Sequence, residues 1–322
     1  MRRPLKEALL AALAKRRNLA ALGGLALLYA VINYIWLRGD APIPLARDAL
    51  YATYMLPYVP FLKKLSWSLH DLNAAADIAA LWRCEQLHSP YGLTYSLPAA
   101  AVMALSNNSL LKTVLFMNIP FFILLLASDY LLGRRIAGSN AGLASAVLLA
   151  LYPAVFGTSR MYCPDFASMA ITTLSILMLL QCEDFTKTGY SVLYGAAAAW
   201  GMLTKTESVA FLAGPTIFIV SKALYPWLRE RSLAGRWRQP CNILLGLAAW
   251  YFLAGGRMEQ LLGKIGGLAG EVAPPGINFT TYTLELSECM LGGFFSLAFL
   301  WGAAVFFRRA AIPRDTKIVC AL

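Results

Sequence analysis

Apolar runs of membrane-spanning length constrain this chain more than any other feature of its sequence. A helix rises ~1.5 Å per residue, so about 20 apolar residues cross the ~30 Å hydrocarbon core of a bilayer. Eight segments have this character: 19–37, 111–132, 141–159, 166–182, 189–204, 208–226, 241–256 and 287–307. Hydrophobic residues make up 59% of the chain and charged residues 14%, which excludes a soluble globular domain. We therefore predict an all-α polytopic membrane protein with about eight transmembrane helices.

The basic residues indicate how these helices are oriented. Residues 1–18 predict a basic amphipathic helix that stays in the cytoplasm, followed by an uncleaved first span. The formal net charge is +11, but Lys and Arg cluster beside apolar segments, not along one soluble face. Anionic lipid headgroups and topology explain this charge better than nucleic acid, which we do not expect as a partner.

One doubtful stretch decides the topology. Tyr91–Leu105 is apolar but short, and it contains Pro98. If it lies along the surface, basic pairs such as Arg134-Arg135 fall on the side of the N-terminus, as the positive-inside rule requires. We therefore predict that both termini are cytoplasmic. The domain boundaries that follow are one transmembrane domain over 19–307 and a cytoplasmic tail over 308–322.

Two long segments should share the outer face with two short turns. The first outer loop, 38–109, mixes carboxylates with many Trp and Tyr, a pattern typical of amphipathic helices that lie at a membrane interface. The second outer loop is 257–288. Ionisable groups at the ends of spans tend to mark polar cavities. On this face they are Arg160 and Asp165 in TSRMYCPDF, Lys205 and Glu207 in GMLTKTES, and Arg257.

Metal-ligand patterns are weak in this sequence. The six cysteines are scattered, with no CxxC and no Cys/His spacing suited to zinc. His70 and His88 lie in an aromatic, amphipathic setting without matching ligand spacing. These residues predict no metal site by themselves.

The chain resembles a known family in an acidic site after the first span and in five later segments. These segments are HSPYGLTYSLPAA, LLGRRIAG, LLALYPAVFGTSRMYCPDFASM, AAWGMLTKTESVAFLAGP and PPGINFTTYTLELSECMLGG. In this order they resemble the GT-C fold of polyprenyl-phosphate-sugar-dependent glycosyltransferases. The resemblance is to the branch of protein O-mannosyltransferases and of the aminoarabinose transferase of lipid A. It implies an enzyme that passes a sugar from a lipid-phosphate donor to an acceptor on the outer face.

The resemblance also implies roles for individual residues. In that family an acidic residue of the first loop, in a DE-x-x-Y-like pattern, acts as general base or helps to bind a divalent metal. The matching piece is ARDALYATYML, where Asp48 and Tyr51 occupy the pattern and Arg47 stands where a first carboxylate is usual. A lone carboxylate can still take a proton, whereas hard cations need several oxygens. The resemblance thus leaves a divalent metal open and implies no organic cofactor.

Inverting sugar transfer needs a base at the acceptor hydroxyl and positive charge at the departing phosphate. Asp48 is the predicted base, and Tyr51 is a predicted substrate contact. Lys205 and Arg160 are predicted to hold the donor phosphate, for which Arg suits bidentate contact. Asp165 and Glu207 would orient those cations or bind acceptor hydroxyls. Arg257 is a weaker phosphate candidate.

The sequence leaves a second class of function open. A non-catalytic GT-C-like subunit, a scaffold or a lipid-linked sugar carrier could share this composition. The chain stops soon after its eighth apolar run, so a truncated product and a minimal enzyme are both considered. We expect a multi-pass protein of a bacterial inner membrane with its site facing the periplasm. Expected partners are a lipid-linked sugar donor, membrane lipids, partner subunits of a membrane complex, and an acceptor that is a lipid, a glycan or a protein.

Overall fold

The described part of the chain is nearly all helical. The computed structural model describes residues 2–39, 93–107, 109–230 and 237–255, and the single residues 304, 308 and 318. The helices in these ranges are α1 Arg2–Gly39, α2 Leu93–Leu105, α3 Leu110–Ala137, α4 Ser139–Ala150, α5 Pro153–Thr158, α6 Pro164–Gln181, α7 Thr188–Thr204, α8 Ser208–Glu230 and α9 Arg238–Ala254. The predicted amphipathic helix at 1–18 is continuous with the first span, since both lie within α1.

Four helices in the described ranges are long and apolar enough to cross a membrane: Arg16–Trp36, Lys112–Ala137, Pro164–Gln181 and Ser208–Tyr225. The helices α7 and α9 have 17 residues each, or about 26 Å of rise, slightly less than a typical hydrocarbon core. The predicted eighth span at 287–307 and the loop at 257–288 lie outside the described residues. The prediction of a helical membrane protein is therefore confirmed, whereas the number of eight spans stays a prediction.

The third predicted span is not one helix. Residues 141–159 form α4 and α5, separated by Leu151 and Tyr152. Tyr152 has an extended backbone (φ −68°, ψ 122°), and Pro153 begins α5. Proline lacks an N–H group and disfavours a helical conformation in the residue before it, so α4 must end here. The length of the apolar run did not predict this break, because the run continues through it.

Polar contacts define two ends of the helix bundle. At the end that we call the Arg160 end, the Arg160 side chain reaches Asn33 near the end of α1, and Asp165 contacts Lys205. At the opposite end, which we call the Arg135 end, Nη1 of Arg135 donates to Gln181 Oε1 at 2.8 Å. Further contacts at this end join Lys222 with Asp184, Gln239 with Asp184, and Asn242 with Phe185.

Small residues let the helices approach closely. A Cβ atom built on Gly195 of α7 would lie 2.0 Å from the carbonyl oxygen of Gly246 in α9. A Cβ on Gly142 of α4 would lie 2.4 Å from the carbonyl oxygen of Tyr130 in α3. Close backbone approach of this kind is typical of helix packing in membranes. Large apolar side chains are exposed on the outside of the bundle, among them Leu27 (66%) and Ile217 (65%), as expected for surfaces that meet lipid.

The short helix α2 packs at the Arg160 end. Its second residue, Thr94, has its hydroxyl oxygen 3.0 Å from that of Thr204, the last residue of α7. Tyr95, Ala99, Ala100 and Met103 are buried, a spacing that places them on one face of the helix. With 13 residues, α2 rises about 20 Å, which is too short to cross a bilayer.

Candidate active site

Arg160 lies in the turn between α5 and α6. The α5 helix ends at Thr158, and Pro164 begins α6, so residues 159–163 run outside helical structure. Arg160 is half-buried, and its Nε donates to Asn33 Oδ1 at 2.9 Å. Its guanidinium carbon lies 4.6 Å from the Trp36 ring centre and 3.8 Å from that of Phe156. Contacts with aromatic faces stabilise a cation, so both the position and the plane of this guanidinium are fixed.

Asp165 and Lys205 form an ion pair between two helix ends. Asp165 is in the first turn of α6, and Lys205 is the residue that caps the C-terminus of α7. A helix dipole favours a negative charge at its N-terminus and a positive charge at its C-terminus, so each residue suits its position. Nζ of Lys205 donates to Asp165 Oδ1, and the Cys163 thiol donates to Asp165 Oδ2 at 2.7 Å. The carboxylate is therefore held through both of its oxygens.

The surroundings of Lys205 change its pKa. Burial alone would lower the pKa of Lys205, but the hydrogen bond and charge of Asp165, followed by the charge of Glu207, outweigh burial and raise it. Glu207 is exposed and lies in the same turn. Lys205 therefore carries its positive charge throughout the physiological pH range.

Four aromatic side chains pack together at the Arg160 end. The rings of Tyr95 and Tyr162 are 5.2 Å apart, and Phe121 lies 6.1 Å from Trp200. Tyr162 is almost fully buried, at 1% exposure, and burial raises its pKa well above the usual range of tyrosine. The Tyr95 and Phe121 rings are also 6.2 Å apart, so this aromatic cluster packs α2, α3, α7 and the turn that carries Arg160 against one another.

The structure brings some of the predicted site residues together. Asp165 and Lys205 are in contact, and Glu207 follows Lys205 in the same turn. Arg160 lies five residues before Asp165, in the segment that connects α5 to α6. Asp48, Tyr51 and Arg257 lie outside the described residues, as do His70 and His88. Among the described residues, no group of three or more His, Cys, Asp or Glu side chains could hold a metal ion.

Three polar residues inside apolar runs were missed from the sequence. Asn33 and Asn118 are 2% and 1% exposed, and both contact the turn that carries Arg160. Asp129 lies inside α3, where Ser145 Oγ donates to its Oδ2 at 2.7 Å. Each interrupts an otherwise apolar segment: VINYIW, LFMNIPF and LLASDYLL. A polar residue inside an apolar segment is the feature of the sequence that could have identified them.

A comparison with protein-family models gives a match over part of the chain. Residues 91–237 match the family model described as dolichyl-phosphate-mannose-protein mannosyltransferase. This segment is similar to a glycosyltransferase family. The match supports a membrane glycosyltransferase that uses a lipid-linked sugar donor, within the GT-C group, and does not distinguish the branches of that group. Neither a curated protein nor a solved structure matches the chain.

The matched segment contains four of the seven predicted site residues. Arg160, Asp165, Lys205 and Glu207 fall within residues 91–237, whereas Asp48, Tyr51 and Arg257 fall outside. The ion pair of Asp165 and Lys205 therefore lies wholly within the part of the chain that resembles the family, whereas Arg160 also contacts Asn33 and Trp36 outside it.

Proposed function

We propose that this chain is a membrane glycosyltransferase that moves a sugar from a polyprenyl-phosphate donor to an acceptor on the extracytoplasmic face. The observation that carries the proposal is the ion pair of Asp165 and Lys205, which joins the N-terminus of α6 to the C-terminus of α7 inside the family match. The desolvation cost of a partly buried ion pair can exceed the energy gained from the attraction between its charges, so such a pair contributes little to folding stability. A role in binding explains the pair better: it holds the Lys205 charge in a fixed position for a lipid-linked anion.

The reaction proposed is a direct displacement with inversion. Asp48 takes the proton of the acceptor hydroxyl, and the acceptor oxygen attacks the anomeric carbon of the sugar. The bond from that carbon to the phosphate oxygen breaks, and polyprenyl phosphate leaves with the bonding electron pair. Lys205 and Arg160 stabilise the negative charge that develops on the phosphate, because charges fixed in advance need no reorganisation during the reaction.

Asp165 has a supporting part in this proposal. Its carboxylate holds Nζ of Lys205 and is itself held by the Cys163 thiol. The lysine head group is therefore directed before the donor arrives, which lowers the cost of ordering it on binding. Tyr51, Glu207 and Arg257 are proposed as further substrate contacts.

Two observations favour a second candidate, a carrier of lipid-linked sugar. The helices α4 and α5 make an interrupted span, and Asp129 lies within α3 about 12 Å from its end. Interrupted helices and ionisable groups away from the membrane surface are typical of transporters. A carrier would move the donor between leaflets of a vesicle without breaking the sugar–phosphate bond.

The test uses the full chain in lipid nanodiscs with polyprenyl-phosphate mannose as the donor and with a lipid, a glycan or a peptide supplied in turn as the hydroxyl-bearing acceptor. Release of polyprenyl phosphate is the readout. Lys205→Met and Asp48→Asn should each reduce release by at least 100-fold, since removal of one fixed transition-state contact typically costs 10²–10³ in rate. Lys187→Met is the matched control, because Lys187 forms an exposed ion pair with Glu183 at the Arg135 end. It should keep wild-type activity.

Two results would contradict the proposal. Full activity of Asp48→Asn would show that Asp48 is not the base. Equal losses of activity in Lys205→Met and Lys187→Met would show that Lys205 has no specific role in the reaction. Translocation of intact donor between vesicle leaflets, without release of polyprenyl phosphate, would instead identify a carrier.

A further inference from the structure

We infer that Asn118 and Asn33 are positioning residues that fix Arg160 for an anionic lipid phosphate. This inference rests on the proposed function. Two side chains from different helices, α3 and α1, converge on one arginine, and they hold different parts of it. One holds the backbone on both sides of Arg160, and the other holds its side chain.

Asn118 holds the backbone. Its Nδ2 group donates to the carbonyl oxygen of Ser159 at 2.7 Å and to that of Met161 at 3.0 Å. These are the residues directly before and after Arg160. Both N–H groups of a single amide are thus used to fix one short segment of chain. Backbone hydrogen bonds from Arg160 N to Gly157 O and from Met161 N to Thr158 O, both at 3.2 Å, join this turn to the end of α5. Asn118 adds the hydrogen bonds that join the same turn to α3.

Asn33 holds the side chain. Its Oδ1 accepts the Nε–H of Arg160 at 2.9 Å, and its Nδ2 donates to the carbonyl oxygen of Tyr29 at 3.0 Å. The amide orientation is therefore set by the backbone of α1, which presents the oxygen to the arginine. Trp36, one turn further along α1, contacts the same guanidinium. The stacked rings of Tyr29 and Phe122, with centres 3.6 Å apart, fasten α1 against α3 at this level.

The cost of these two amides argues for a purpose beyond packing. Transferring an amide from water to an apolar environment is unfavourable unless its hydrogen bonds are replaced. Asn118 and Asn33 are almost completely buried within apolar helices, at 1% and 2% exposure. An apolar side chain at either site would avoid that cost but would remove hydrogen bonds that hold Arg160 or its backbone. Arginine presents a planar fork that binds phosphate in two parallel hydrogen bonds, so its orientation matters more than its charge alone.

A simpler account must be distinguished from this one. Asn118 could serve only to satisfy the carbonyl groups that α5 leaves unpaired at its C-terminus. The chain contains a matched control for that account. Asn242 is 2% exposed, and its Nδ2 donates to the carbonyl oxygen of Phe185 at 2.7 Å, at the Arg135 end. It is the same kind of bond with the same burial, far from Arg160 along the bundle.

The experiment compares Asn118→Ala, Asn33→Ala and Asn242→Ala as full chains in nanodiscs. The readouts are KM and kcat for polyprenyl-phosphate mannose at a fixed concentration of the acceptor that supports turnover by the wild type, and the dissociation constant of polyprenyl monophosphate. Asn118→Ala and Asn33→Ala should each raise donor KM about tenfold with a smaller change in kcat, because they weaken binding of the phosphate in the ground state. Asn242→Ala should lower thermal stability similarly while leaving KM unchanged.

A double-mutant cycle tests whether the two amides act through Arg160. Arg160→Met alone should raise donor KM more than either Asn variant, and adding Asn118→Ala to it should raise KM no further. Additive effects of Arg160→Met and Asn118→Ala would overturn the inference, as would equal KM values for Asn118→Ala and Asn242→Ala. If Asn118→Ala does not fold, Asn33→Ala in the same cycle decides the question. A wild-type chain that turns over donor while these variants keep its KM would refute the positioning role and leave the proposed function standing.

Discussion

At the scale of single residues, the pair of Asp165 and Lys205 makes a prediction about pH. The pKa of Lys205 is raised, so the folded state binds this proton more tightly than the unfolded state does. The stabilisation is therefore complete below the ordinary lysine pKa of about 10.4 and is lost only as the pH rises through the higher folded value. The difference in melting temperature between the wild type and Lys205→Met should be constant from pH 6 to 9 and shrink above pH 10. Intrinsic tryptophan fluorescence on heating measures it, and a difference that varies between pH 6 and 9 would contradict it.

The same scale shows what single residues reveal without a structure. Asp165 and Lys205 could be selected because charges beside Pro164 or at a tight hairpin stand out against apolar runs. Their mutual contact spans 40 positions, and only the packing of α6 against α7 produces it. Asn33 and Asn118 gave a weaker signal, because a single amide in an apolar helix can face lipid headgroups, water or protein. The role of such an amide depends on the group to which it is hydrogen-bonded, which the sequence does not show.

At the scale of helices, close contact between α7 and α9 predicts opposite effects of one substitution at two positions. Gly195→Ala places a methyl group against the carbonyl oxygen of Gly246, and overpacking of this kind typically costs about 1–3 kcal/mol. Gly189→Ala, in the first turn of the same helix, meets nothing within 4 Å and gains helix propensity. Thermal unfolding in detergent should show a lower midpoint for Gly195→Ala and an equal or higher midpoint for Gly189→Ala. A stabilised Gly195→Ala variant would mean that these helices do not touch there.

Helix positions were predictable from the sequence to a large degree, and helix interruptions less so. Segments 166–182, 189–204 and 208–226 correspond closely to α6, α7 and α8, because apolar length and flanking polar residues specify them directly. The interruption before Pro153 was not predicted, since the apolar run continues through it. Proline in a membrane helix is sometimes accommodated by a kink, so the sequence alone does not decide between a bend and an end.

At the scale of the whole molecule, the two ends of the bundle predict which residues are reachable from each side of the membrane. The turn with Lys205 and Glu207 belongs to the Arg160 end, and Thr186 belongs to the Arg135 end. In a cysteine-free background, Glu207→Cys should react with a membrane-impermeant maleimide in sealed right-side-out vesicles, and Thr186→Cys should react only after the vesicles are opened. Both positions are exposed, so burial does not confuse the result. The reverse labelling pattern would invert the predicted topology and remove the extracytoplasmic site.

The interrupted span also has a consequence for how the protein is made. At ~1.5 Å per residue, the 12 residues of α4 and the 6 residues of α5 are each too short to settle in a bilayer alone. The neighbouring α3 has 28 residues, and Gly142 brings α4 against it. We therefore expect this segment to leave the translocon together with α3, as one helical hairpin. The loop that presents Arg160 would then reach its place during biosynthesis, before α6 and α7 have been synthesised.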